Sequence, residues 1–343
     1  MSNVNNLLLQ SSPHIVSSVN SKGLMRNMLF ALAPVSIFGI VIYGLYALLN
    51  IVVAVTATII GESLFRMILK RPVRANDFSA GVSGLLLALV IPPTTPLWMT
   101  AMGAAFGVIV AKEFFGGLGA NVFNPALIGR AFLLMSFPAA LTTWKIPGQS
   151  WLAPFGGSVS ADVITGPTPL AVIQAGEGMI GVGESFAQAG LSSSSSYWST
   201  MQTLFIGFHG GCIGDTSIFL ILAACVFLLV TKTIDWRTPV SMIGAGVVAA
   251  FVLGLDPLFS VLSGGLIFGA VFMATDYVTG PVTGKGRIVF GICAGIITMM
   301  IRKWGNYPEG VSYAILIMNG VTPFLDKLMS RKYGFVKQKK GAS

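Results

Sequence analysis

The chain has 343 residues, of which 54% are hydrophobic and 10% charged, with a mean hydropathy of +0.80. A soluble domain carries about 25% charged residues, so this composition excludes an ordinary water-soluble fold and points to an integral membrane protein. The net charge of +9 does not mark a nucleic-acid binder, because the basic residues gather in short loops and the C-terminal tail, as insertion topology requires.

Residues 1–27 read as a polar cytoplasmic segment without a cleavable leader, since the apolar run after it is too long for a signal peptide. A membrane-crossing helix needs about 20 mainly apolar residues. That ruler predicts ten spans near 28–48, 51–68, 79–91, 97–110, 125–141, 213–231, 240–253, 258–275, 288–301 and 311–325. The first two form one apolar block, too long for a single crossing, and the expected break is near Asn50. The third span is short and runs into Pro92-Pro93-Thr94-Thr95-Pro96. It predicts a partial helix, which a membrane tolerates only where the helix is buried in protein or lines a cavity. The expected fold is therefore an all-α polytopic bundle of about ten transmembrane helices.

Orientation follows from the basic residues. With the N-terminus in the cytoplasm, seventeen of the 21 Lys and Arg fall at or near the cytoplasmic side; Lys145, Arg302 and Lys303 face outward and Arg130 lies within a span. This asymmetry places both termini inside. It also organises the chain into a first membrane half (28–143), an outward loop (144–212), a second half (213–327) and a basic cytoplasmic tail (328–343), suited to anionic lipid.

Two stretches share a rhythm. Gly103-Ala104-Ala105-Phe106-Gly107, then Lys112-Glu113, a Gly/Asn-rich break and the helix from Pro125, is matched by a second run. That run is Gly291-Ile292-Cys293-Ala294-Gly295, then Arg302-Lys303, the break Gly305-Asn306-Tyr307-Pro308 and the helix from Val311. Repeats of five spans each must be inverted in the membrane, so the duplication predicts two inverted five-helix halves with broken helices between them.

Within the outward loop, Asp162-Val163-Ile164-Thr165-Gly166-Pro167-Thr168 sets two hydroxyls beside Gly and Pro. Such composition is ordinary turn chemistry, and Gly166 permits unusual backbone angles there. The pattern resembles the flavinylation motif of the RnfD/NqrB family, the D subunit of the Rnf electron-transport complex and the B subunit of the sodium-translocating NADH:quinone reductase. Further matching elements are Ser12-Pro13-His14, Asn124-Pro125-Ala126-Leu127-Ile128-Gly129-Arg130, Gly214-Asp215-Thr216-Ser217, Ala274-Thr275-Asp276 with Gly280-Pro281-Val282-Thr283, and Tyr307-Pro308-Glu309-Gly310-Val311. The length is closer to RnfD. Pro167 stands where Ala is usual, and Asp215 where Glu is more frequent.

The resemblance implies FMN joined by a phosphoester to Thr168, with Thr165 as rival acceptor, and a flavin transferase using FAD as donor. It also implies a bacterial inner-membrane location with the flavin loop on the periplasmic side, and a second, non-covalent flavin is an open possibility. Asp162, Gly166, Asp215 and Arg130 are the accompanying candidates for the cofactor site. Intramembrane ionisable residues are functional hypotheses by default, which adds Glu62 and Asp276 as ion-path candidates. Glu62 could also pair with Arg66 at i+4.

The implied function is electron transfer within a ferredoxin:NAD+ oxidoreductase that moves Na+ or H+. No nucleotide-binding Gly-rich loop and no cysteine cluster occur, so NAD, ferredoxin and the iron–sulfur centres belong to other subunits. Cys212, Cys225 and Cys293 read as small apolar residues, and His14 and His209 are too few for a haem pair or metal centre. The competing readings are an inverted-repeat solute transporter without a redox group, and the quinone-reductase B subunit.

Overall fold

The structure, a computed structural model, describes residues 20–72, 77–145, 168–176, 178–188, 196–207, 209–305 and 309–329. Among them every regular element is helical. The order is α1 (Ser21–Tyr43), α2 (Leu45–Ile68), α3 (Ser79–Leu89), α4 (Leu97–Val108) prolonged by a π-helical turn (Ile109–Glu113), α5 (Pro125–Ser136) and α6 (Pro138–Leu141). Then come α7 (Pro169–Gln174), α8 (Gly178–Gln188), α9 (Tyr197–Ile206), α10 (Ile218–Val230), α11 (Arg237–Val252) and α12 (Pro257–Leu262). The chain ends with α13 (Leu266–Phe268) running into a second π turn (Gly269–Met273), α14 (Gly284–Trp304) and α15 (Val311–Met329).

Three helices, α1, α2 and α14, are each long and apolar enough to cross a membrane. The outward-facing positions carry large apolar side chains, among them Phe30, Ile37, Ile60, Phe219, Val248 and Phe251. Water-soluble helices reserve that face for charge; here it meets lipid, and the chain is a multi-pass membrane protein.

The break between the first two helices is at Gly44, six residues before the expected Asn50. Gly44 has φ +85, a backbone that glycine adopts without a Cβ penalty. Asn50 is helical and buried. Its amide donates to Tyr46 O and Pro93 O, both at 3.3 Å, and its Oδ1 accepts from Thr100 Oγ1 at 2.6 Å. The asparagine thus ties α2 to the Pro92–Pro96 turn instead of ending a helix. The short third span is confirmed as the 11-residue α3. The eighth span, expected continuous over 258–275, is interrupted at Ser263-Gly264-Gly265, where both glycines have positive φ.

Helix packing follows one order twice. α2 lies on α3 and α4, α4 on α5, and α3 on α5; α11 lies on α12 and α14, α14 on α15, and the second π turn on α15. Likewise α1 meets α3, and α10 meets α13. The two sets join where α1 packs on α10 and α5 on α15. The shared glycine rhythm does not make the same contact twice. Gly103 and Gly107 let α4 approach Leu133 and the Pro125 carbonyl of α5, whereas Gly291 and Gly295 let α14 approach Thr238 and Met242 of α11.

One apolar core runs through the bundle. A second, smaller core holds α7, α8, α9 and α12 together through Leu170, Val182, Phe186, Met201, Leu204 and Phe259. These short helices form a cap at one end of the bundle.

Candidate functional site

Thr168 opens the cap. It is the N-cap of α7, followed by Pro169 at the first helical position, and its Oγ1 accepts a hydrogen bond from Ala171 N at 3.2 Å. This is the usual cap chemistry of a threonine before a proline-started helix. The side chain is 5% exposed, more enclosed than a modifiable loop hydroxyl would suggest. Asp162, Thr165 and Gly166 lie outside the described residues, as do His14, Pro167, Tyr307, Pro308 and residues 330–343 of the basic tail.

The cap sits on the α12–α13 break. Gln174 Nε2 donates to Arg302 O at 3.2 Å, and Leu170 packs against Gly264. Arg302, at the end of α14, threads its guanidinium beneath the break. It donates to Ser263 O at 3.1 Å, to Gly264 O at 2.9 Å and to Ser260 O. A break leaves carbonyls without helical partners, and the arginine supplies the missing donors. A Cβ at Gly264 would fall 2.8 Å from Arg302 Nη2, so the glycine is required there both for space and for its φ of +64.

Asp215 lies against Gly265, the other glycine of the break. Arg130 comes from α5. It is paired with Glu309 and donates to Ser312 Oγ at 2.5 Å, so one ion pair bridges the two helix sets. Cys212 Sγ points at Val90 O, 3.1 Å away, and lies 3.9 Å from both Arg130 Nη2 and Glu309 Oε1. Arg130, Cys212, Asp215, Gly264, Glu309 and Ser312 surround a cavity of about 20 Å³, enough for one water. The Nε of Arg130, the Nε of Arg302 and Ser263 Oγ are buried without hydrogen-bond partners among the described residues. Nearby, Tyr43 Oη donates to His209 O at 3.0 Å, and Lys145 Nζ donates to Tyr43 O at 3.3 Å. Burial pushes the His209 imidazole below its usual pKa, keeping it neutral.

Glu62 lies in a different cluster, at the opposite end. The expected pairing with Arg66 is present at 3.2 Å, but the shorter contact is Lys112 Nζ to Glu62 Oε2 at 2.6 Å. Lys112 also donates to Ser79 Oγ at 2.6 Å, and Arg66 grips Glu113 with two bonds of 3.1 and 2.9 Å. Arg66 and Lys112 are 4% and 1% exposed, so these two are interior charges, not the surface topology signals that their sequence position suggests. The π turn explains it: on a regular helix neighbours diverge by about 100°, and the wider turn lets Lys112 and Glu113 both face α2. Asp276 is apart from both clusters. Its carboxylate accepts from Thr279 Oγ1 at 3.1 Å and caps its own turn.

The sequence reading missed Arg302, Glu309 and Cys212 as site residues. A signal existed for two of them: Arg302-Lys303 repeats the place of Lys112-Glu113, and Glu309 follows the break before α15.

The model of the NQR2, RnfD, RnfE family matches residues 8–334. The chain belongs to that family. Among its relatives is the D subunit of the Na+-translocating ferredoxin:NAD+ oxidoreductase complex of Acetobacterium woodii, 38% identical over 341 residues, covering 98% of each chain. The D subunit of the proton-translocating ferredoxin:NAD+ oxidoreductase complex of Clostridium ljungdahlii is 38% identical over 326 residues, 93% of each. The D subunit of the ion-translocating oxidoreductase complex of Stutzerimonas stutzeri is 36% identical over 331 residues, 91% of each. The NQR2, RnfD, RnfE match thus takes in both helix sets, the cap and every cluster described above.

Proposed function

We propose that this chain is the D subunit of an ion-translocating ferredoxin:NAD+ oxidoreductase complex, carrying electrons through FMN esterified to Thr168. The observation that carries the assignment is the end-to-end match, 98% of the chain against 98% of the Acetobacterium woodii protein at 38% identity. Its partners are then the other subunits of the complex, including those with iron–sulfur and flavin centres, together with the transferase that attaches the FMN.

The residues at the cap fit the group. Thr168 Oγ1 accepts one bond, and esterification preserves an oxygen lone pair for Ala171 N. Its low exposure means that the transferase acts with the cap open or not yet packed. The esterified FMN supplies a centre that exchanges electrons singly, while the protein sets its position and electrostatics. Thr168 anchors it, with Gly166, Thr165 and Asp162 of the same motif as the accompanying candidates; Asp215 and Arg130, behind the break on which the cap rests, tune the local field. A second, non-covalent flavin belongs to the same proposal.

Ten crossings arranged as two inverted halves are supported by the repeated packing order and by the two broken elements. Phe78, before α3, and Gly265, before α13, both take left-handed backbone, with φ of 62 and 67. Cytoplasmic termini are supported by Lys70 and Lys232, just past the ends of α2 and α10, and by Arg237, Lys285 and Arg287, in the first turns of α11 and α14, all at the end remote from the cap. That orientation in the bacterial inner membrane puts the flavin on the periplasmic side. Of the ion-path candidates, Asp276 lines an open cavity, whereas Glu62 is neutralised by two cations; Na+ and H+ are both compatible with this arrangement.

The test is intact-mass measurement and peptide mapping of chain made in cells that contain the transferase. One FMN phosphoester on the Thr168 peptide is expected. Thr168→Ala should abolish the fluorescent band in a denaturing gel while the bundle still inserts, and Thr165→Ala should retain it. Loss of all label from Thr165→Ala would reverse the two roles, and wild type with no added mass would favour a solute permease. Quinone-dependent turnover in place of ferredoxin-dependent turnover would move the chain to the quinone-reductase B branch.

A further inference from the structure

At the end remote from the cap, the α10–α11 and 274–282 connections enclose an open cavity of about 790 Å³, of which the proposed function uses only Asp276. Three cations line it: Lys232, Arg237 and Arg287. One carboxylate answers them. Asp235 is 2.7 Å from Arg287 and 3.7 Å from Arg237. The cavity's other carboxylate, Asp276, is turned into its own turn by Thr279. Lys232 is exposed and makes no side-chain hydrogen bond or ion pair among the described residues. The cavity therefore presents more positive charge than its own side chains neutralise.

Its rim lies at the edge of the lipid-facing surface. Val230 at the end of α10, Val240 in the first turn of α11 and Val282 are all strongly exposed, and Trp236 stands between them, stacked by Arg237 at 6.0 Å. Exposed Trp flanked by apolar residues marks the depth of lipid headgroups. Basic pockets between membrane helices at that depth bind phosphate-bearing headgroups. We infer that this cavity is a binding site for one anionic phospholipid, its phosphate held by Lys232 and Arg237 and its acyl chains laid along the exposed faces of α10 and α11. The leaflet follows from the orientation proposed above; the binding itself does not depend on that orientation or on the flavin.

Lys70 provides an internal control. It follows α2 with the same left-handed backbone that Lys232 adopts after α10, φ 53 against 52, and is likewise exposed, but it is not among the residues lining this cavity. The experiment is native mass spectrometry of the full chain, and of the intact complex, released from nanodiscs of phosphatidylglycerol or phosphatidylcholine. Each surface cation contributes roughly a five-fold gain for an anionic headgroup, so a preference of about 25-fold for phosphatidylglycerol is expected. Lys232→Gln with Arg237→Gln should reduce it to about two-fold or less. Lys70→Gln and the charge-conserving Lys232→Arg with Arg237→Lys should keep it. An unchanged preference in the Gln pair, an equal loss in Lys70→Gln, or a loss in the charge-conserving pair overturns the proposal. So does displacement of the lipid by millimolar inorganic phosphate, which would indicate a soluble-anion site. Dissociation of a water-soluble partner by the Gln pair, with lipid retention intact, would make the cavity that partner's seat and equally overturn the lipid assignment.

Discussion

The two charged clusters balance their formal charges in the same way and use them differently. At one end, Glu62 and Glu113 face Arg66 and Lys112; at the other, Asp215 and Glu309 accompany Arg130 and Arg302. In the first, cations and carboxylates bond one another, and all four come from α2 and the end of α4, within a single helix set. In the second, Arg302 spends its donors on backbone carbonyls of a broken helix, Asp215 leans on a glycine, and Arg130 reaches across to the other set. The first cluster is a staple. The second keeps unsatisfied nitrogens around a water-sized space beneath the cap that carries Thr168. Charge inside a membrane is thus a weak guide to function taken alone; what separates the two is where the cationic donors go, onto carboxylates of one helix set in the first, where Glu62 Oε1 also lacks a hydrogen bond among the described residues, and onto the other set and a broken helix in the second.

Substitutions sharpen that contrast. The largest effect is expected for Lys112→Met, which leaves Glu62 and Ser79 facing an apolar chain. Removing one partner of a buried pair costs about 3–5 kcal/mol, read as a lowered unfolding midpoint of the solubilised protein, and adding Glu62→Gln should restore much of it. If Lys112→Met is neutral, the staple reading fails. Arg302→Gln should cost about 2–4 kcal/mol through orphaned carbonyls, but with a second signature: faster proteolysis within α7–α9, because the break under the cap loosens. Equal protease resistance in Arg302→Gln and wild type would detach the cap from the cluster.

The pair across the two sets is tested by a cycle. Arg130→Met and Glu309→Gln, alone and together, should show a coupling of about 1–3 kcal/mol, the double variant being less damaged than the sum. Additive losses would mean that the bridge does not link the halves energetically. The smallest stability effect belongs to Thr168→Ala, about 1 kcal/mol from the lost helix cap, set against complete loss of the covalent flavin proposed there. A stability loss several times larger would show that Thr168 is chiefly architectural.

Much of this molecule is readable from its order of residues, because lipid imposes a simple demand: about twenty apolar residues per crossing and few charges between. The membrane class, the partial third helix before Pro92–Pro96 and the i+4 meeting of Glu62 and Arg66 all follow from local composition and spacing. Other features do not. Gly44 broke the first apolar block instead of Asn50 because a positive φ outweighs polarity when the polar group finds partners inside the protein. Lys112 met Glu62, and Arg302 met the carbonyls of Ser263 and Gly264, because a π turn and a helix break rotate those side chains toward distant neighbours. Hydropathy along the chain decides that a segment enters the membrane. Only the rotation and crossing of packed helices decides which buried charge finds which partner, since that choice rests on contacts between residues tens to hundreds of positions apart.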